Sequence, residues 1–138
     1  MMPVYEIALF TDRGRVRENN EDAVFAGGKI FQEDLRDVVS MRLTGTPHAL
    51  LVADGIGGRP QGERASRSVL HFLTSDHRLV QDVDGCAAAL HSANERLYEL
   101  MVSIDVHNFD PFERRGLAVA LVSSELAGIA ETRRARVV

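Results

Sequence analysis

Ala49-Leu50-Leu51-Val52-Ala53 is an unbroken apolar run that stops abruptly at Asp54-Gly55. A run without polar alternation has no wet face, so it predicts a buried central strand. Two stretches of helical period follow. Ala65, Val69, Phe72 and Leu73 fall at i, i+4, i+7 and i+8, which makes one apolar stripe. A second helix is expected from about Asp84 to Ser103, its apolar face marked by Leu90, Leu97, Leu100 and Met101 with small Ala87 and Ala93 beside them. Asp82 or Asp84 can cap it by accepting from orphan backbone N–H groups. Each amphipathic helix must lie on something apolar, most simply the sheet that holds the 49–53 strand.

The remaining segments supply further strands. Val4, Tyr5, Ile7, Leu9 and Phe10 mark one, and Asp12-Arg13-Gly14 reads as a turn. Ala23, Val24 and Phe25 form another, closed by Gly27-Gly28, and these two strands are expected to pair antiparallel across the Arg17 loop. Residues 29–46 are ambiguous: Val38, Val39 and Met41 suit a strand, but Asp34 to Asp37 is polar and irregular. Thr44-Gly45-Thr46-Pro47 is a turn, 104–115 a polar link, and Leu117 to Val122 a further strand; Glu131 to Val138 is basic without a helical face. A length of 138 residues with 45% apolar residues suits one domain with a real core. The net charge of -4 and scattered basic residues argue against a nucleic-acid partner. The single cysteine, Cys86, excludes an internal disulfide, fits a reducing compartment, and reads as a packed small side chain. No basic start leads into an apolar run and no run approaches a membrane span, so the expected setting is cytoplasmic, with no membrane partner.

Chemistry gathers in two acidic segments flanked by glycine. The first runs Thr11-Asp12-Arg13-Gly14-Arg15-Val16-Arg17-Glu18-Asn19-Asn20-Glu21-Asp22, and the second Leu51-Val52-Ala53-Asp54-Gly55-Ile56-Gly57-Gly58, on to Gly62-Glu63. Carboxylates at strand ends, with glycine permitting close backbone approach, are the usual makings of hard-cation and phosphate sites. Arg17 offers a planar cation able to hold two phosphate oxygens. Glu21 and Asp22 are adjacent, so on extended backbone they point to opposite sides: one can face a metal while the other contacts water or holds the loop. Asp54 emerges at a strand end, and Gly55 presents an unshielded carbonyl. Oxygen-only donors favour magnesium or manganese over zinc. The five histidines share no metal-ligand spacing. The glycines after Asp54 are not a nucleotide loop: Pro60 stands where a dinucleotide fingerprint needs glycine, and no Lys-Ser or Lys-Thr pair follows. Taken singly, each feature would be a turn, a solvated pair or a surface cation; their joint occurrence reads as a site.

The chain resembles the bacterial metal-dependent protein phosphatases (PPM, protein phosphatase type 2C). The resemblance rests on Thr11-Asp12-x-Gly14-x-x-Arg17-x-x-Asn20-Glu21-Asp22 and Val52-Ala53-Asp54-Gly55-Ile56-Gly57-Gly58, with Gly62-Glu63-x-Ala65-Ser66 beyond. It implies an α+β fold, part of an α-β-β-α sandwich of antiparallel sheets with two long helices on one face. It also implies a two-metal centre of manganese or magnesium. Asp54 would bridge the metals, the Gly55 carbonyl would ligate one of them, Glu21 and Asp22 would hold that metal largely through waters, and Arg17 would clamp the phosphate. The implied activity is hydrolysis of phosphoserine or phosphothreonine in proteins by a metal-activated water, in signalling opposite a bacterial Ser/Thr kinase. No covalent phosphoenzyme is required.

The resemblance covers roughly the first half of such a domain. Gly116-Leu117-Ala118-Val119-Ala120-Leu121-Val122 stands where the family has a Gly-Thr-Thr strand, and the family's later aspartate segments have no counterpart. The expectation is therefore an N-terminal part of the domain over residues 1–124, a divergent tail over 125–138, an incomplete second metal site and a truncated, impaired phosphatase. The alternative is a catalytically inactive phosphatase-like module that binds a phosphoprotein or pairs with another copy.

Overall fold

The computed structural model describes residues 2–55, 61–104 and 118–124. Its elements run β1 (Val4–Leu9), β2 (Ala23–Ala26), β3 (Lys29–Phe31), β4 (Val39–Thr44), β5 (His48–Asp54), α1 (Gly62–Thr74), a short 3-10 helix (His77–Val80), α2 (Val83–Ile104) and β6 (Ala118–Ser124). Of the expected polar link, residue 104 ends α2 and 105–115 lie outside the described residues, as do the 125–138 tail, Ile56, Gly57 and Gly58.

The strands form two antiparallel sheets, one of four strands in the order β3-β2-β5-β6 and one of β1 with β4. The expected pairing of β1 with β2 is not made. The two-residue Gly27-Gly28 loop, with φ of 57° and 81°, returns the chain at once and gives β2 its neighbour β3. Two consecutive positive φ angles are the signature of the tight hairpin turn whose twist matches its strands. On the other side β2 takes β5, and β1 finds its partner in the ambiguous 29–46 region. There Tyr5, Ile7 and Leu9 stand opposite Leu43, Met41 and Val39, while Glu6 faces Arg42. This register puts apolar residues on one face and opposite charges on the other. The ribbon meets the larger sheet at Tyr5, whose ring lies edge-on to that of His48 at 5.8 Å.

The helices cover the opposite face of the larger sheet, as the α+β sandwich requires. Ala23, Leu51 and Ala53 share one core with Val69, Leu70 and Leu73 of α1 and with Ala89, Ala93, Leu97 and Met101 of α2. The i, i+4 ladder of α2 passes through Ala89, and Ala87 is exposed, contrary to expectation. Asp82 caps α2, accepting from Gly85 N–H at 2.6 Å. α1 rests on β5 and β2, whereas α2 packs chiefly along α1 and the 3-10 helix. Asp76 caps that short helix and holds Arg78, which reaches Ser92 of α2 at 3.0 Å. The Arg78 guanidinium keeps the Asp76 carboxyl down at about 2.

β5 is central, between β2 and β6, but not dry on both faces: Leu51 is 1% exposed and Val52 43%. The helices seal one face, and the ribbon leaves part of the other open. Leu70 has no exposed surface, so Leu70→Ala is expected to destabilise by about 2–5 kcal/mol, read from the urea midpoint. A loss under about 1 kcal/mol would contradict the burial of Leu70 in this core.

Candidate metal and phosphate site

The register of β2 and β5 builds the site. Ala23 pairs with Ala53 in an antiparallel ladder, so the next pair outward sets Asp22 opposite Asp54, on the face away from the helices. Directly opposed residues bring their side chains close, and here the Asp22 carboxyl acts directly on that of Asp54. Burial, the hydrogen bond to Asp22 and the charge of Asp22 all push the Asp54 carboxyl above its usual range; the Arg17 guanidinium pulls it down. Arg17 is therefore close enough to act on the acidic pair.

These residues surround a cavity of about 100 Å³ lined by Asp12, Arg13, Arg17, Asn20, Glu21, Asp22, Asp54 and Gly55. Arg17 also forms an ion pair with Glu21, four residues along the loop. Glu21 and Asp22 thus diverge as adjacent residues must on extended backbone: Asp22 meets Asp54, and Glu21 secures the arginine. Asp12 shapes the preceding turn, accepting from Gly14 N–H at 2.7 Å. Arg13 bridges Asp34 at 3.2 Å and the Glu18 carbonyl at 2.9 Å. Beyond it opens a wider cleft of about 320 Å³, which shares Arg13 and Asn20 with the smaller cavity and is bounded by Gln32, Glu63 and Arg67.

Gly55 is needed for a reason the sequence does not show. A Cβ there would lie 2.3 Å from the Glu21 carbonyl oxygen and 2.9 Å from that of Gly62. The glycine admits the Asp22-bearing loop against the end of β5.

The donor set suits a hard cation, since Asp22 and Asp54 offer only oxygens. Among the described residues no group of three His, Cys, Asp or Glu side chains could hold one ion, and the Glu21 carboxylate is engaged by Arg17. Asp22 and Asp54 are the carboxylates that could share one cation. Cys86 stands apart, its thiol pushed up by burial, in keeping with a packing role. Sequence reasoning assigned no part to Thr11, Asn20, Ser66 or Gln32. The first three stand inside the quoted motifs, but Gln32 carried no sequence signal.

Over 70 residues, 51% of its length, the chain is 37% identical to the serine/threonine protein phosphatase PstP of Mycobacterium tuberculosis, in two strains; the match covers 10% of that protein. The fold is similar to the PPM Ser-Thr phosphatase MsPP of Mycobacterium smegmatis, solved in complex with cacodylate, at a TM-score of 0.52 and 28% identity over 86% of this chain and 38% of that one. It is also similar to the M. tuberculosis serine/threonine phosphatase PstP/Ppp, at a TM-score of 0.53 and 27% identity over 93% and 44%. The chain thus spans about a tenth of the curated relatives and less than half of the solved ones. No family model matches it.

Proposed function

We propose that this chain, a relative of the bacterial PPM-type serine/threonine phosphatases over part of their length, binds a phosphorylated serine or threonine segment at the Arg17–Asp22–Asp54 cavity and hydrolyses it. The observation that carries this reading is the meeting of Arg17, Asp22, Asp54 and Gly55 around one cavity, with Arg17 near enough to lower the Asp54 carboxyl.

Asp22 and Asp54 would hold manganese or magnesium, which supplies Lewis acidity toward water and toward the phosphoryl oxygens. Arg17 binds and orients the phosphate; its guanidinium has five N–H donors, so the bond to Glu21 leaves others free to face the substrate. Glu21 sets the direction of that fork and lowers its entropic cost of ordering. Gly55 keeps the strand end close to the Asp22 loop, so both carboxylates address one point. The cleft beyond Arg13 gives room for residues flanking the phosphorylated one. In-line attack of water requires little more of the protein than this positioning and charge stabilisation.

The test is phosphate release from a phosphothreonine peptide, with and without manganese. Wild type is expected to turn over only with metal, and Arg17→Ala to lose about 10²–10³-fold in kcat/KM, the size of one lost charge-stabilising donor. Absence of release across divalent metals would refute the enzymatic reading. A second reading, a binding module without turnover, draws on the absence of a three-acid cluster among the described residues. It predicts phosphopeptide binding, weakened by Arg17→Ala, and no released phosphate.

A further inference from the structure

Among the described residues the buried polar side chains are Thr11, Asn20 and Ser66; Asn20 and Ser66 hydrogen-bond a single peptide unit, Glu21–Asp22, and Thr11 supports it through Asn20. Asn20 accepts from the Asp22 N–H at 3.1 Å and donates its amide to Thr11 Oγ1 at 2.8 Å. On the other side of the peptide, Ser66 Oγ lies 2.5 Å from the Glu21 carbonyl oxygen, against 3.1 and 3.2 Å to the carbonyls of Glu63 and Gly62. A hydroxyl has one hydrogen, and the nearest acceptor takes it. Gln32 donates to Ser66 Oγ at 3.0 Å and to the Glu63 carbonyl at 2.6 Å, so the first turn of α1, the end of β3 and the Asp22 loop are tied together. The Glu21 oxygen is thereby held between Ser66 and the bare Cα of Gly55.

We infer that Thr11, Asn20 and Ser66 are positioning residues that hold the Glu21–Asp22 peptide at the setting where Asp22 meets Asp54, an inference that rests on the site reading above. Buried hydrogen bonds between polar groups are costly to leave half-made, and a core concerned only with stability has no reason to gather them at one peptide. Their placement beside the acidic pair is that of outer partners which orient ligands without touching the ion.

The inference has a readout independent of metal. Gly55 N–H donates to Asp22 Oδ1 at a long 3.3 Å, so its hydrogen exchange reports how closely Asp22 is held. In the metal-free 138-residue chain, Thr11→Val and Ser66→Ala are expected to speed exchange at the Gly55 and Asp22 amides about tenfold, the effect of one hydrogen bond. Thr11→Ser, which keeps the hydroxyl, should behave as wild type. Calorimetric titration with manganese should show Kd raised about tenfold in the first two variants. It should stay unchanged in Leu79→Ala, which lowers stability from the core without touching the clamp. Unchanged Gly55 exchange in both hydroxyl-deleting variants, or a Thr11→Ser variant as loose as Thr11→Val, would overturn the inference. If exchange responds as expected but wild type takes up no manganese, the clamp stands and the metal reading fails.

Discussion

Asp54→Asn is expected to abolish manganese uptake and phosphate release while raising the thermal midpoint of the metal-free protein at neutral pH. The two effects have one origin. Asp54 is held against Asp22 and partly withdrawn from water, which lifts its carboxyl above the unfolded value of 3.8. A carboxyl raised on folding favours the native state most at pH below its unfolded value. That advantage is lost as pH climbs through the folded value, because the native state resists giving up the proton. At pH 7 the ionised pair is therefore a cost to the empty protein, and a neutral amide in place of Asp54 removes it while keeping a donor for Asp22. The same substitution deletes a charged donor from the cation site. Loss of several kcal/mol of transition-state stabilisation corresponds to about 10³-fold or more in phosphate release. Melting curves at pH 4 and pH 7 in chelator, beside a manganese titration, read both effects. A variant that melts below wild type at pH 7 without metal, or that binds manganese normally, would show that the Asp22–Asp54 contact is not what it is taken to be.

Gly55→Ala is the second large expected effect, and it acts through backbone alone. The new methyl would stand 2.3 Å from the Glu21 oxygen and 2.9 Å from the Gly62 oxygen, and neither is the yielding tip of a side chain. Overpacking of a fixed site costs about 1–3 kcal/mol, and the upper end is expected here because both contacts are main chain. The chain can relieve the clash only by moving the Asp22 loop or the start of α1, which pulls Asp22 from Asp54. Stability and manganese affinity should therefore fall together. Gly28→Ala is the contrast: nothing lies within 4 Å of its added carbon, although its φ of 81° disfavours a side chain. It should cost about 1 kcal/mol and leave manganese affinity alone. Should Gly55→Ala unfold at the wild-type urea midpoint, the close approach of the two segments is not real.

Much of the molecule was legible in advance. The apolar run 49–53, the helical stripe of Ala65, Val69 and Leu73, and the Asp82 cap were readable because periodicity and capping are local properties of consecutive residues. The residues at the cavity were readable for a different reason: Arg17, Asp22, Asp54 and Gly55 recur together in one family's motifs. Pairing was not readable. β1 could have joined β2, and short-range pattern favours neighbours; the choice of β4 rests on matching Tyr5, Ile7 and Leu9 to Leu43, Met41 and Val39 across a gap of thirty residues or more.

Residue types alone settled the chemistry available to this chain: hard oxygen donors, a fixed guanidinium and a glycine among them, because ionic and hydrogen-bonding character belongs to the side chain wherever it goes. Which carboxylate meets which, that Glu21 turns to Arg17 while Asp22 turns to Asp54, and that a distant serine and glutamine hold the loop between them, came from the fold. Distances between segments twenty to fifty residues apart are set by strand register and helix packing, and no local pattern carries them.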